Sequence, residues 1–295
     1  MDLSVVITTY NRKQFLGLAI DSVLKQSLPV SEILVIDDAS TDGTESEFAN
    51  ASFSVPFRFF QNVRNGGVSF SRNFGVSQCK SPWVAFLDCD DVWHPDKWLE
   101  QSRILNSEPG LDWIQTQEVW IRDGGVVPVL EAYQKSNSDF FKQAMQTTFV
   151  TVSSLVLRKT SFHQLGGFRE DLPFLEDYDF GIKLSALLRG GLVEQRLISK
   201  FGGHHDQLSS QIRNRDFWKT KILSSLPDVV MATLENSPTN KAVFQAERNF
   251  RLQNLFAIMS KKIPFQNFLE FQKKILPKIQ ISKSLEDLEN QFLNS

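Results

Sequence analysis

A short apolar run that ends in carboxylates is the first stretch of this sequence that could do chemistry. The apolar part is Val84–Leu87, whose length is typical of a buried strand. The acids that follow are Asp88, Asp90 and Asp91. Because side chains alternate along a strand, Asp88 and Asp90 would share a face if the strand continued through them. Neighbouring carboxylates repel unless a cation lies between them, and their oxygens suit magnesium or manganese. A polar loop with capping aspartates is the alternative, which one Asp-x-Asp alone favours.

A second group of acids comes later in the chain. Glu176 and Asp177 precede apolar residues at helical spacing, and Asp179 follows closely. The helix dipole favours acids in a first turn, so capping explains these residues when they are taken alone. A carboxylate in a cleft could instead take a proton from an attacking hydroxyl group.

Two further stretches could bind metal or phosphate. His204 and His205 follow a Gly-Gly pair, and neutral imidazole binds manganese-like ions. Adjacent residues of an extended segment point apart, so both could not easily bind one ion. The glycine turn Gly66–Gly67 precedes a helix that carries Arg72, an arrangement that can hold phosphate oxygens. A plain loop–helix junction with a solvated arginine is the simpler alternative.

The elements around these residues have the pattern of an α/β sheet. Apolar, β-branched runs at Leu3–Ile7 and Ile33–Ile36 predict strands, and the segment between them predicts a helix capped by Asn11 with Gln14 as its capping-box partner. Strand, helix and strand with acids at the strand end predict a right-handed βαβ unit with a ligand crevice. No GxGxxG follows the first strand, which counts against a dinucleotide site. Another strand is predicted over Val150–Leu157.

The sequence also predicts the structural positions of two individual residues, Pro95 and Trp120. Pro95 is expected at the first position of a helix, because its missing N–H costs nothing there. Trp120 lies in a predicted strand, where it could stack on a sugar, but a tryptophan in a strand is more often core, and we expect it in the core.

Composition excludes several classes of protein. The 295 residues carry a formal net charge of −2, which gives no basic field for nucleic acid. Two cysteines, Cys79 and Cys89, are too few for a disulfide framework and lack metal-ligand spacing. The N-terminus has no signal-peptide pattern, and no apolar run approaches the roughly 20 residues of a membrane span. We therefore expect a soluble cytoplasmic protein.

The last part of the chain, 211–295, differs in pattern. Charged residues alternate with apolar ones at helical spacing, which predicts three or four helices. A basic group in this segment permits contact with a membrane surface, although a solvated helix face is the simpler explanation. Its residues are Lys261, Lys262, Lys273 and Lys274.

Six motifs occur in an order and spacing that resemble a family 2 glycosyltransferase. The resemblance implies a Rossmann-like A-type glycosyltransferase fold with a mixed central sheet over 1–210, with a nucleotide-binding half of about 1–110 and an acceptor half of about 111–210. The segment 211–295 would be a helical extension. The motifs are TTYNR (Thr8–Arg12), VIDDAS (Val35–Ser40), NGGVSFSRN (Asn65–Asn73), LDCDD (Leu87–Asp91), LEDYDF (Leu175–Phe180) and GGHHDQLS (Gly202–Ser209).

The same resemblance implies roles for residues around the donor. Tyr10 would stack on the nucleotide base, Thr8 would contact the base, and Asp38 would accept a hydrogen bond from a ring N–H. Arg72 would lie near the nucleotide and its diphosphate. Asp88 would face the ribose and the metal ion.

Metal and base roles follow from the resemblance as well. Asp90 would bind a divalent cation, Mn²⁺ or Mg²⁺, directly, and His204 would complete its ligands, supported by Asp206 or Ser209. Asp91 would have a supporting or helix N-terminal role. Asp177 would be the general base for an inverting displacement, with Glu176 as its rival.

The predicted function is metal-dependent transfer of a sugar from a nucleotide-diphosphate sugar to a glycan or lipid-linked acceptor. The setting would be cell-surface polysaccharide synthesis, at the inner face of the membrane. A nucleotidyltransferase is one alternative, but TTYNRK lacks the glycines of a triphosphate loop. The other is a non-catalytic sugar-nucleotide-binding protein, which would be expected to have lost the acids at the strand ends.

Overall fold

The structure, a computed structural model, describes residues 1–202 and 215–260. The chain divides into two compact units, residues 1–210 and 211–295. In the described part of the first unit, nine strands form one sheet: β1 (Leu3–Thr9), β2 (Glu32–Asp37), β3 (Phe57–Gln61), β4 (Trp83–Asp88), β5 (Asp91–Trp93), β6 (Trp113–Arg122), β7 (Gly125–Val127), β8 (Val156–Arg158) and β9 (Gly190–Gly202). The helices of this unit are α1 (Lys13–Leu24), α2 (Thr44–Phe48), α3 (Gly67–Gln78), α4 (Lys97–Ser107), α5 (Phe140–Gln146), α6 (Lys159–Gln164) and α7 (Glu176–Leu187).

The sheet is mixed, as the sequence predicted. Its strand order is β3-β2-β1-β4-β8-β6-β9-β5, with β7 paired to β6. The first four strands run parallel, β8 runs antiparallel to β4 and β6, and β6 and β9 are parallel again. The apolar parts of β1, β2 and β4 are buried, as expected for parallel strands whose faces are both covered.

Register in the parallel part brings three strand ends to one edge of the sheet. The Cα of Thr8 pairs with that of Asp88 on β4, and the Cα of Thr9 pairs with that of Asp37 on β2. The carboxyl ends of β1, β2 and β4 therefore meet at one place, where ligands of open α/β sheets bind.

Two strands differ from their predicted extent. Strand β4 ends at Asp88 and does not continue through Asp90, which was the condition for Asp88 and Asp90 to share a face, and the chain turns before β5 begins. The strand predicted over Val150–Leu157 is mostly a 3₁₀ turn, Val152–Ser154, followed by the short β8. In this turn the hydroxyl of Ser154 donates to the carbonyl of Thr151 at 2.7 Å. Such local hydrogen bonds compete with strand pairing.

Helix starts also differ from the predictions. Helix α1 begins at Lys13, and Asn11 lies before it with a φ of 50°. The Asn11 amide oxygen accepts from the backbone N–H of Thr41 at 2.8 Å, whereas Asp42 accepts from the N–H of Lys13 at 2.9 Å. Asp42, on the turn after β2, thus supplies the capping carboxylate. Helix α4 begins at Lys97, two residues after Pro95.

The described part of the second unit is helical, which confirms the predicted C-terminal helices. It comprises α8 (Arg215–Ser224), α9 (Asp228–Glu235) and α10 (Pro238–Ser260). Arg251 of α10 donates to Asp216 of α8 at 2.5 Å and to Glu247 at 2.6 Å, which fixes these two helices against each other. Across residues 1–202 and 215–260, every helix is too short or too polar to cross a membrane. The lysines proposed to contact a membrane surface lie outside the described residues.

Candidate active site

Two of the acids that follow the β4 run pair with arginines from different parts of the chain. Arg72 of α3 donates from Nη2 to Asp88 Oδ1 at 2.7 Å, and Arg12 forms an ion pair with Asp90 Oδ2. Burial works to raise the pKa of Asp88, but the Arg72 charge outweighs it and the pKa is lowered. Burial and the neighbouring Asp88 charge raise the pKa of Asp90. The two carboxylates are therefore close enough to repel each other.

The third acid of the run, Asp91, is buried behind the other two. It begins β5, not a helix, and accepts a hydrogen bond from Ser153 Oγ at 2.7 Å. The same Ser153 oxygen accepts from the backbone N–H of Asp88 at 3.1 Å. Burial raises the pKa of Asp91 to about 7, although the ammonium of Lys200, 3.9 Å away, works against this. Asp91 and Ser153 thus brace the turn that carries Asp88 and Asp90.

Arg72 joins the acids of β4 to those of α7. Its Nη1 donates to Glu176 Oε1 at 2.8 Å, while its Nη2 holds Asp88. The guanidinium is only 5% exposed and lies over the Phe168 ring at 5.2 Å. Its pKa is raised because the charges of Asp88 and Glu176 outweigh burial. One buried cation therefore brings residues of the two halves of the sheet into a single site.

The two acids at the start of α7 have different surroundings. Glu176 is bound to Arg72, whereas Asp177 accepts from the backbone N–H of Tyr178 at 2.8 Å and, among the described residues, has no ion pair. Burial and the charge of Glu176 raise the pKa of Asp177 to about 7. The residue before them, Leu175, has a φ of 63°, a backbone conformation that costs energy for a side chain of this kind. The tight turn places both acids at the first two positions of the helix.

Asp179 does not belong to the site. It is fully buried and pairs with Lys183 at 2.8 Å and with Arg169 at 3.7 Å. Asp179 is therefore a poorer candidate for a base than Asp177 or Glu176, because its carboxylate has no exposed surface that a substrate could reach.

The residues expected around the nucleoside lie at the ends of β1 and β2. Thr8 is nearly buried and Tyr10 is 47% exposed. Asp38 accepts hydrogen bonds from the N–H groups of Gly66 and Gly67, at 2.9 and 2.8 Å, and from Asn62 at 2.7 Å. The glycine turn could have held phosphate oxygens, but its N–H groups are used within the protein. They hold Asp38.

Asp37, the neighbour of Asp38, is also satisfied by the protein. Its Oδ1 accepts from Ser40 N at 3.1 Å, and its Oδ2 accepts from Gln61 at 2.9 Å. The side chain has no exposed surface. This carboxylate closes the turn after β2.

The acceptor half contains a second polar cluster. Lys135 donates from Nζ to Glu118 at 2.9 Å, and the indole N–H of Trp120 donates to Glu118 at 2.6 Å. Trp120 is half-buried, with its ring 5.5 Å from that of Tyr133, so the expectation of a core tryptophan is wrong. A cavity of about 290 Å³ lies beside Glu118 and Arg196.

Among the described residues, the side chains that fit a divalent cation are the carboxylates of Asp88 and Asp90. Among residues 1–202 and 215–260 no group of three His, Cys, Asp or Glu side chains comes together as a metal cage. Asp88 and Asp90 each give one oxygen to an arginine, which leaves their second oxygens for a cation. Magnesium and manganese sites often use one or two carboxylates together with substrate phosphates. His204, Asp206 and Ser209 lie outside the described residues.

Three residues of this site were not predicted from the sequence. Arg12 belongs to the TTYNR motif, but no role was assigned to it, and Lys200 and Ser153 carried no signal. Arg12 is 78 residues from Asp90 in sequence, and Lys200 comes from the far edge of the sheet. Only the strand registers, which a single sequence does not contain, bring them to the acids.

Solved structures share this architecture. The chain aligns with S. aureus TarS 1-349 in complex with UDP-GlcNAc at a TM-score of 0.69 and 18% identity, covering 95% of this chain and 77% of that one. It aligns with the mannosyltransferase PcManGT from Pyrobaculum calidifontis, in complex with GDP-Man and Mn²⁺, at a TM-score of 0.58 and 16% identity, covering 92% and 84%. These similarities confirm the predicted A-type glycosyltransferase fold.

Sequence comparison gives the family. The family model described as glycosyl transferase family 2 matches residues 4–162, and the chain belongs to this family. A Rickettsia felis protein named an uncharacterized glycosyltransferase is 29% identical over 253 residues, 80% of this chain and 40% of that protein. A Haemophilus influenzae protein of the same name is 27% identical over 183 residues, 62% and 61% of the two chains. The alignments therefore cover less than two thirds of these relatives.

Proposed function

We propose that this protein transfers a sugar from a nucleoside-diphosphate sugar to an acceptor hydroxyl group, with inversion at the anomeric carbon. The observation that carries the proposal is the Arg72 bridge, which joins Asp88 at the end of β4 to Glu176 beside Asp177. A donor-binding group and a base must lie in one cleft for direct transfer, and this bridge supports such a cleft. The sugar nucleotides in two structural neighbours agree with it.

On the donor side, Tyr10 stacks on the base and Thr8 contacts it. Arg72 and Arg12 are the cations for the diphosphate, because each already binds a carboxylate that a phosphate could replace. Asp38 accepts a ring N–H of the base. Its two oxygens offer about four lone-pair sites and the protein uses three, so one remains.

Asp88 and Asp90 hold a divalent cation, Mn²⁺ or Mg²⁺, and His204 is the candidate third ligand. When bound, the cation neutralises charge on the departing diphosphate. Burial and the charge of Asp88 raise the pKa of Asp90, and a bound cation would offset the repulsion between these two carboxylates.

Asp177 is the general base. Its carboxylate takes the proton of the acceptor hydroxyl as that oxygen attacks the anomeric carbon. The bond from this carbon to the phosphate oxygen breaks, and its electron pair leaves with the nucleoside diphosphate. A pKa of about 7 suits a base that works near neutral pH. Glu176 is the rival, but its ion pair with Arg72 makes its carboxylate less available.

The acceptor is a glycan or a lipid-linked sugar. Trp120 and Tyr133 form a half-exposed aromatic pair, and aromatic faces are common contacts for sugar rings. A Bacillus subtilis protein named for teichuronic acid biosynthesis, TuaG, is 32% identical over 106 residues, covering 35% of this chain and 41% of that protein. A cell-surface polysaccharide is therefore the proposed product.

The direct test is donor hydrolysis and transfer. The protein is incubated with a panel of UDP- and GDP-sugars, Mn²⁺ and simple glycoside acceptors, and the nucleotide products are separated. Release of nucleoside diphosphate, and an inverted anomeric proton signal in the product, are the expected results. A parallel incubation with UTP or GTP and a sugar 1-phosphate tests the alternative, because release of pyrophosphate there would indicate a nucleotidyltransferase. Binding of donor without turnover on any acceptor would indicate a non-catalytic protein.

A further inference from the structure

Lys200 of β9 lies where the acids of both halves of the site meet. The register of β9 with β5 pairs its Cα with that of Asp91, and the register with β6 pairs it with that of Trp120. Its Nζ lies 3.9 Å from Asp91 Oδ2. The ammonium charge works to lower the pKa of carboxyl groups at the β4 end, on β6 and on α7, namely Asp88, Asp90, Asp91, Glu118 and Asp177.

This lysine differs from Lys135 and Lys183, two buried lysines of the same unit. Lys135 is 2% exposed and donates to Glu118 and to the carbonyl of Thr116, both at 2.9 Å. Lys183 is 5% exposed and pairs with Asp179 at 2.8 Å. Both are counter-ions whose hydrogen bonds are used within the protein.

Lys200 keeps its hydrogen-bond donors available. Its side chain is 34% exposed, and 3.9 Å to Asp91 is too long for a hydrogen bond. Within the part of the chain that the structure describes, its ammonium group donates no hydrogen bond. Three N–H groups on a partly exposed cation beside Asp88 and Asp90 are therefore able to bind an anion that enters the site.

We propose that Lys200 binds the diphosphate of the donor and stabilises it as it leaves, a role that rests on the proposed function. Its ammonium group donates hydrogen bonds to phosphate oxygens and keeps its proton throughout. As the bond between the anomeric carbon and the phosphate oxygen breaks, the electron pair moves onto that oxygen and the fixed positive charge stabilises it. Asp91, held by Ser153, keeps the lysine at the acid cluster when no donor is bound.

The competing explanation is that Lys200 only balances the charge of buried Asp91. In that case its loss would lower stability and leave diphosphate affinity unchanged. The two explanations differ in ligand affinity, which is measured without turnover.

The experiment compares Lys200→Met, which keeps the aliphatic stem, with wild type, Lys200→Arg and a control. Lys25→Met is the control, because that side chain is 72% exposed and pairs only weakly with Asp21 at 3.9 Å. Titration calorimetry measures binding of UDP, GDP and inorganic pyrophosphate, each with EDTA and with Mn²⁺, and of uridine and guanosine. Thermal unfolding is measured for every variant.

We expect Lys200→Met to weaken UDP or GDP and pyrophosphate about 10-fold, with and without Mn²⁺, since one charge-assisted hydrogen bond is lost. Nucleoside affinity should not change, Lys200→Arg should recover part of the loss, and Lys25→Met should match wild type. Unchanged diphosphate and pyrophosphate affinity in a folded Lys200→Met protein would overturn the proposal, whatever happens to its melting temperature.

Failure of the proposed function has a different signature. Wild-type protein that binds diphosphates through Lys200 but releases no nucleoside diphosphate from any sugar nucleotide would contradict transfer and leave the lysine assignment standing. Should Lys200→Met unfold, Lys200→Gln and the arginine variant provide the same comparison. Absence of binding of any diphosphate or pyrophosphate to the wild type would contradict both proposals.

Discussion

Two strand ends of this protein carry nearly the same acids and use them differently. Strand β2 ends in Asp37 and is followed by Asp38, while β4 ends in Asp88 and is followed closely by Asp90. The first pair accepts hydrogen bonds from backbone N–H groups and from neutral side chains. The second pair is bound by arginine side chains. Sequence pattern alone did not distinguish the two.

The difference lies in what a ligand could replace. A backbone N–H cannot leave its carboxylate without unfolding the turn, so a ligand does not displace the partners of the acids after β2. Asp37 is therefore structural, and Asp38 can add a ligand only at the lone-pair site that the protein leaves unused. An arginine can exchange a carboxylate for a phosphate, because both are planar or tetrahedral anions that suit its donors. The acids after β4 are therefore available to a metal ion and substrate, and the predictions below test this distinction.

The largest effect is expected for Asp90→Asn. Removing one of two carboxylates from the proposed cation site should cut transfer by roughly 10⁴-fold, since metal help is worth several kcal/mol. Calorimetry should also show that Mn²⁺ no longer strengthens UDP or GDP binding. The fold should persist, because asparagine keeps the size of the side chain and one oxygen that can accept from Arg12. Mn²⁺-dependent binding equal to wild type would remove Asp90 from the metal site.

Asp177→Asn should be next in size. Loss of a general base costs roughly 10³-fold in transfer, while donor affinity should stay within a factor of about two. Because the base must be deprotonated and its pKa is about 7, wild-type kcat/KM should rise with pH and level off above neutrality. This rise should be absent in the residual activity of the variant. Glu176→Gln is the matched comparison. A larger loss of transfer activity in that variant, together with loss of the rise of kcat/KM with pH, would assign the role of base to Glu176.

Stability gives a second test of Asp177. Its folded-state pKa lies above the ordinary value, so the folded protein binds this proton more tightly than the unfolded chain does. The associated stabilisation is complete below about pH 4 and is lost as the pH rises through 7. Asp177→Asn should therefore gain in melting temperature relative to wild type between pH 5 and pH 8. A constant difference across that range would contradict the raised pKa.

Asp37→Ala tests the structural end of the comparison. Removing a buried carboxylate that accepts from Ser40 and Gln61 leaves buried donors unpaired, at about 3 kcal/mol. For a unit of this size the melting temperature should fall by roughly 6–12 °C. Well below the new midpoint, UDP or GDP affinity should equal that of wild type. A stable variant with weakened donor binding would mean that Asp37 itself, and not only Asp38, serves the ligand.

The sequence allowed the fold to be predicted further than the site. The family and the mixed sheet were predicted from the resemblance of six motifs, and the C-terminal helices were predicted from helical spacing, which is a local signal. Asp88 and Asp90 do not share a strand face, because the strand would have had to continue through them and β4 ends at Asp88. The partners of the acids could not be predicted, because Arg72 and Glu176 lie 104 residues apart and meet only through the packing of α3 and α7.

Hydrogen-bond competition explains other misses. The glycine turn before α3 left two hypotheses open, a phosphate site and a plain loop–helix junction. Its two N–H groups donate to Asp38, which lies 28 residues before Gly66. Asn11 looked like a helix cap, yet its amide braces the turn at Thr41. In each case residue type correctly indicated a hydrogen bond, and the partner depended on which strand ends became neighbours.

The smallest effect is expected for Tyr10→Ala. Tyr10 is 47% exposed at the end of β1, so its loss should hardly change stability. If the ring stacks on the base, the variant should bind UDP or GDP roughly 10-fold more weakly and the matching nucleoside equally so, because stacking does not involve the phosphates. Tyr10→Phe should retain wild-type affinity. This pattern is the reverse of that expected for Lys200→Met, which affects the diphosphate and spares the nucleoside. Weakened diphosphate binding with unchanged nucleoside binding in Tyr10→Ala would move this residue from the base to the phosphates.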